Sequence, residues 1–254
     1  MTRPLEGRVA LVTGGAGAIG LATARRLAQD GAKVALADRR SDALSEAVRD
    51  SSWDPYTITM NADRRGDVER TVAEVIDECG RLDIVAPFAG TVGEAELAGL
   101  SDDHWHRVID VNLYGSMLMA QAAEPHLNTS GHGRIIFMSS IAAGGSAAQA
   151  AYSAAKAGIT GLTRSLAAEL GRNGVTVNAV SPGFIESRLT AAIASQEGIP
   201  YEQVKERFAA RTAIGRVGAP KDVAALVAFL SSSEAGFISG QTITIDGGPI
   251  GWRG

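Results

Sequence analysis

Tyr152 and Lys156 stand one helical turn apart in "AAYSAAKAG", a stretch otherwise made of alanine, glycine and serine. Residues at that spacing share a helix face. A free phenol has a pKa of about 10, so acid–base work near neutrality needs a neighbour that favours the phenolate. A lysine ammonium on the same face is such a neighbour. The alanines at 150, 151, 154, 155 and 157 keep the helix slim, leaving room for a ligand and for neighbouring helices. In isolation the pair reads as a surface tyrosine and lysine, so the remaining residues decide its role.

A second stretch carries different chemistry. "TGGAGAIG", Thr13 to Gly20, follows the apolar run "RVALVTG" and opens the helix-period segment "IGLATARRLAQDG". A G-x-G-x-x-G spacing falls on Gly15, Gly17 and Gly20. Glycines at such a turn let the backbone approach a pyrophosphate, and the following helix offers free N–H donors and its positive dipole end. Asp38 closes the next apolar run, "KVALAD". A carboxylate there accepts from both ribose hydroxyls of an adenosine and repels a 2′-phosphate, which predicts NAD. Arg39 and Arg40 follow directly, and an arginine on a 2′-phosphate is the alternative, NADP.

The elements that must hold these groups alternate in type. Short apolar, β-branched runs predict strands at "RVALVTG", "KVALAD", "YTITMNAD", "DIVAPFAG", "GRIIFMSS", "VTVNAVSPG" and "QTITIDGG". Helix-period segments lie between them. One ends at Gly80, a long one is capped by Ser101 with two acids behind it, one spans Ala150 to Leu170, and one opens on Pro220. This alternation predicts an α/β fold, a single doubly wound parallel sheet of the Rossmann type with helices on both faces. Residues 1–254 read as a single dinucleotide-binding catalytic domain, with the polar, interrupted segment 188–215 covering the substrate.

Of the 254 residues, 45% are hydrophobic and 20% charged, with a net charge of -4. That supplies a buried core and concentrates no basic patch for a nucleic acid. No apolar run is long enough to predict a membrane span, and the N-terminal residues carry no leader pattern. Cys79 is the single cysteine, so no internal disulfide is possible, which suits a cytoplasmic protein.

Together these residues resemble the short-chain dehydrogenase/reductase family, from about Arg8 to Gly248. That family's T-G-x-x-x-G-x-G turn is matched by Thr13, Gly14 and Gly20, with Ala18 in place of its middle glycine. Its Tyr-x-x-x-Lys is matched by Tyr152 and Lys156, its asparagine by Asn112 in "DVNLYG", and its serine by "MSS". "SPGFIES", "GRVGAPKDVA" and "ISGQTITIDGG" resemble its later landmarks. The methyl of Ala18 is tolerated where φ is negative.

The resemblance implies a catalytic set of Asn112, Ser140, Tyr152 and Lys156. Counting back from Tyr152 points to Ser139 instead. Strand register from Arg134 points to Ser140 and is preferred, because alternate strand residues face opposite sides while a loop absorbs a deletion. For the cofactor, the resemblance implies Gly14, Gly17, Ala18, Ile19 and Gly20 at the pyrophosphate, and Asp38 with Arg39 at the adenosine ribose. It implies Ala62, Asp63 and Val111 at the adenine, and Ala89 and Gly90 near the ribose. Tyr152 and Lys156 meet the nicotinamide ribose, and Pro182, Gly183, Ile185 and Ser187 hold the nicotinamide. Two departures stand out. Pro87-Phe88-Ala89-Gly90 replaces the family's common N-N-A-G, so altered packing is expected where proline removes a backbone donor, and Ser187 replaces a threonine. The resemblance also implies a homotetramer assembled through the two long helices.

The expected function is an oxidoreductase moving a hydride between NAD(H) and a secondary alcohol or ketone. The alternatives are an NADPH-dependent 3-oxoacyl thioester reductase and, of another class, a catalytically silent nucleotide-binding protein. The expected partner is a small-molecule alcohol or ketone, with neither a nucleic acid nor a membrane. His104 and His106 point to different helix faces, so shared metal ligation is not expected. Trp53, Trp105 and Trp252 are expected to pack, Trp252 with the option of closing over a pocket or a neighbouring subunit. Arg188, Arg207 and Arg211 are expected to meet a carboxylate or water, with water preferred.

Overall fold

The structure, a computed structural model, describes residues 3–49, 53 and 55–248; Trp252 lies outside the described residues. The seven apolar runs form β1 (Val9–Thr13), β2 (Lys33–Asp38), β3 (Tyr56–Thr59), β4 (Ile84–Pro87), β5 (Arg134–Met138), β6 (Thr176–Pro182) and β7 (Thr242–Ile245). All pairings are parallel, in the order β3-β2-β1-β4-β5-β6-β7. The helices are α1 (Ala18–Gln29), α2 (Ser41–Arg49), α3 (Arg65–Cys79), α4 (Asp102–Ile109), α5 (Gly115–Thr129), α6 (Ala150–Leu170), α7 (Arg188–Glu197), α8 (Tyr201–Ala209) and α9 (Pro220–Ser231).

Both sheet faces are buried, which is why the strands read as continuous apolar runs. Side chains alternate between the two cores. Val9 and Leu11 of β1 join Val72 of α3, Leu118 of α5 and Ile159 of α6. Ala10 and Val12 join Leu27 of α1, Leu44 of α2 and Val227 of α9, together with Trp53. From β1 the order runs outward to β2 on one side and to β4 on the other. That reversal opens a crevice at the carboxyl ends of the strands, where such sheets bind ligands.

Three local features shape that crevice. The long helix predicted from Ser101 is broken into α4 and α5 by a π-helical turn, Asp110–Tyr114, whose inserted residue turns Asn112 inward to 1% exposure. At the end of β4 the ladder to β5 runs only over Ile84 and Val85, whereas the ladder to β1 continues to Pro87. The interrupted segment after β6 resolves into α7 and α8, divided at Gly198 (φ +66) and Pro200. Among the described residues, no helix is long and apolar enough to cross a membrane.

At the amino ends of the strands, just before β5, His132 is buried and its Nε2 donates to the Ser231 carbonyl at 2.8 Å. Burial holds its pKa below the ordinary 6.5, and the Arg134 and Arg8 guanidinium groups push the same way. The unfolded chain therefore takes up this proton first as pH falls below 6.5, so stability declines with acidity from that point down to the folded pKa. Urea denaturation between neutral and mildly acid pH is expected to show this loss, with a flatter profile for His132→Gln. An unchanged profile in that variant would assign the decline to other groups.

Candidate active site

The loop after β1 is clamped against the segment after β4. Gly14 has φ +66, and a Cβ on it would lie 2.8 Å from the carbonyl carbon and oxygen of Phe88. Gly20 packs onto the Gly14 carbonyl so closely that a Cβ has no room. Gly17 caps α1 in an extended conformation, and Ala18 opens the helix without a positive φ, so its methyl introduces no strain. The N–H groups of Ala18, Ile19 and Gly20 belong to a first turn, which lacks intrahelical partners. Gly17 and Ala18 line a trough of about 820 Å³ that runs on to Gly90, Asn112, Tyr152 and Lys156. The close backbone approach, free donors and length of this trough fit a dinucleotide.

Asp38 is 8% exposed at the end of β2. One carboxylate oxygen accepts from the Ala16 N–H at 3.1 Å and the other from the Arg40 N–H at 3.1 Å, with Arg40 Nε at 3.4 Å. The acid thus ties the glycine loop to β2. Arg40, folded back on Asp38, lines the trough together with Arg25, whereas the predicted Arg39 is exposed and lies off its wall. Ala62, Ala89 and Val111 share a narrow crevice, and Asp63 is exposed.

After β6, Pro182 is buried, Gly183 packs against Asp246, and Ile185 is buried. Ser187 lines the trough, but its hydroxyl is already engaged: it accepts from the Thr190 N–H at 3.1 Å and caps α7.

Strand register separates the two serines. Ser139 is 1% exposed and its Oγ donates to the Lys156 carbonyl at 3.0 Å. Ser140 turns the other way, accepts from the Ala142 N–H at 3.2 Å, and shares the cavity wall with Tyr152. Lys156 is buried, its Nζ donates to the Met138 carbonyl at 2.8 Å and lies 5.4 Å from the Tyr152 ring centroid. Burial pushes the Lys156 pKa down to about 7. Burial likewise pushes the Tyr152 hydroxyl up, opposed by the neighbouring Ser140 hydroxyl. The expectation that lysine lowers the tyrosine is therefore not met by the protein groups alone, because burial also disfavours the ammonium meant to supply the charge. The Asn112 amide donates to the carbonyls of Thr91 (2.8 Å) and Val108 (2.9 Å), while its buried Oδ1 has no protein partner.

Tyr152 also lines a second cavity, of about 750 Å³, together with Ser140. Segment 188–215 forms one wall of it, through Thr190, Ile193, Phe208 and Arg211. Phe208 stacks on Phe184 with ring centroids 4.0 Å apart. Thr190 Oγ1 meets the Tyr201 hydroxyl at 2.9 Å and donates to the Ile185 carbonyl at 3.0 Å, fastening α8 to α7 and to the segment after β6. The sequence reading missed these residues. The Ser187-x-x-Thr190 spacing is a capping signal, and Tyr201 and Phe208 lie two turns apart on one helix face, but nothing local pairs Phe208 with Phe184. The three arginines expected to meet a carboxylate or water, with water preferred, are all exposed to solvent, and each also has a local neighbour. Arg207 pairs with Glu197 at 2.7 and 2.9 Å, Arg188 lines the trough and Arg211 lines the cavity. His104 packs beneath Gly93, a residue of the cavity rim, and Trp105 is exposed rather than packed.

A family model described as enoyl-(acyl carrier protein) reductase matches residues 14–249. The chain is 40% identical over 243 residues to the short-chain reductase protein NovJ of Streptomyces niveus, covering 94% of this chain and 93% of that protein. It is 36% identical over 252 residues to the 3-oxoacyl-[acyl-carrier-protein] reductase FabG of Thermotoga maritima, covering 97% and 99%. The crystal structure of gox2181 is similar with a TM-score of 0.89 at 34% identity, covering 97% and 96% of the two chains. The fold agrees with that structural likeness, and the chain belongs to the short-chain dehydrogenase/reductase family of oxidoreductases.

Proposed function

We propose that this protein transfers a hydride between NAD(H) and a secondary alcohol or ketone. The observation that carries the reading is the meeting of Ser140 and Tyr152 where the cavity joins the trough, with Lys156 buried one turn behind. A nicotinamide dinucleotide in the trough supplies the hydride acceptor in oxidation and the donor in reduction. Ser140 and Tyr152 hold the substrate oxygen. In oxidation, Tyr152 as phenolate takes the hydroxyl proton while the carbinol C–H bond gives up its electron pair with the hydrogen. In reduction, Tyr152 returns the proton. Lys156 favours the phenolate only in its protonated form, which burial opposes, so the bound cofactor has to assist, and Asn112 holds a water that links Lys156 to solvent. The test is NAD-dependent oxidation across a panel of secondary alcohols, read as NADH absorbance.

Asp38 carries the choice of cofactor. Its charge opposes a 2′-phosphate, so NADH is expected to bind about 10- to 100-fold more tightly than NADPH. Asp38→Asn keeps the shape and narrows that gap. Fluorescence titration with both cofactors reads it, and tighter NADPH binding by the unaltered protein would shift control to Arg25 and Arg40.

Reduction of 3-oxoacyl thioesters is the second reading, favoured by the likeness to the reductase of that name. Turnover of acetoacetyl-CoA separates it from the first. The single catalytic unit is read as a homotetramer formed through the helix α4–α5 and through α6, which sedimentation velocity tests.

A further inference from the structure

The basic side chains of the substrate cover divide by what they meet. Lys205 pairs with Glu202 at 2.7 Å, Arg207 with Glu197 at 2.7 Å, and Arg216 with Asp222 at 2.6 Å. Among the described residues, Arg188 and Arg211 of this segment have no ion pair. These two line the ligand spaces, Arg188 the trough and Arg211 the cavity. The trough is built for a phosphate-bearing ligand, which supplies the charge that Arg188 lacks. The same logic in the cavity calls for an anion opposite Arg211.

The local setting favours that use. The guanidinium carbon of Arg211 lies 5.8 Å from the centroid of Phe208, which is itself stacked on Phe184. Arg211 is exposed, and the aromatic ring beside it pre-orients its guanidinium for a planar oxyanion. Two acids line the same cavity and keep their charge, Glu94 accepting from Gln149 at 3.1 Å and Asp246 from the Gly248 N–H at 2.9 Å, so among the described lining residues Arg211 is the one cationic group that can attract an anion. Between the Ser140–Tyr152 pair and Arg211 the wall is apolar, with Phe184, Ile193 and Phe208.

Building on the reading of this cavity as the substrate site, we propose that the substrate is an anion. Its alcohol or ketone oxygen sits on Ser140 and Tyr152, an apolar body lies against the Phe184–Phe208 stack, and a carboxylate or phosphate group is held by Arg211. Calorimetric titration of the NADH-bound protein with 3-hydroxy-3-phenylpropanoate, its primary amide and 3-hydroxybutyryl-CoA tests this. The first and third probes separate a free carboxylate from the phosphate groups at the end of a carrier arm. One of these two anions is expected to bind at least about tenfold more tightly than the amide, and Arg211→Met to remove the advantage while amide and NADH binding stay within about twofold. Arg211→Lys is expected to restore part of it. No preference for either anion over the amide, or a preference that survives Arg211→Met, overturns the proposal. Turnover is read separately. Absence of NAD-linked turnover for every probe and alcohol defeats the dehydrogenase reading, whereas turnover of acid and amide alike, indifferent to Arg211, defeats only this inference.

Discussion

Replacing Tyr152 by phenylalanine is expected to lower kcat by about 10^3- to 10^4-fold while leaving NADH binding within about threefold. The change removes one oxygen and keeps the ring, so the face that Lys156 Nζ approaches at 5.4 Å remains. No hydrogen bond to the protein that the structure shows is lost with the oxygen, so the cost in stability is expected to stay within about 1 kcal/mol. A large fall in kcat with intact folding and NADH binding therefore isolates proton transfer. The buried pair also sets a pH dependence. Burial pushes the Lys156 ammonium down to about 7 and favours the protonated form of the Tyr152 hydroxyl. Oxidation needs a proton acceptor, so kcat/KM for the alcohol is expected to rise as pH increases from neutrality. Because the two groups lie close together, that limb belongs to the pair rather than to either residue. A Tyr152→Phe protein with full activity would move the proton acceptor elsewhere in the cavity.

The parts of this site that were legible in the sequence are those fixed by short-range rules. The strands are apolar because both sheet faces are covered. Gly14 is a glycine because the backbone of Phe88 stands 2.8 Å from where a Cβ would be. Ser140 follows from counting along β5, since a strand cannot change face without slipping its register. What stayed hidden depends on residues distant in sequence. Arg40 rather than Arg39 reaches the trough because its side chain folds back on Asp38. The depressed pKa of Lys156 arises from burial against the end of β5, and the Phe184–Phe208 wall joins a loop to α8. A sequence shows that a lysine is present but not how much water reaches it.

The serine pair offers the sharpest test of how far strand register carries. Ser140→Ala is expected to lower kcat by about 10^2- to 10^3-fold, because it deletes a donor aimed at the oxygen on which charge develops. Ser139→Ala is expected to leave kcat within about fivefold and to cost about 1 kcal/mol of stability, because it removes a buried bond to the Lys156 carbonyl. The Ser140 hydroxyl also accepts from the Ala142 N–H, so its loss loosens the turn that follows β5. Ser140→Thr controls for this by keeping a hydroxyl in both roles. Recovery of activity in Ser140→Thr with NADH binding unchanged throughout assigns the loss to chemistry. Equal falls in kcat for the alanine variants at 139 and 140 would mean that the end of β5 does not hold its side chains to opposite faces, and Ser139, buried against Lys156, would then have to act by positioning the lysine.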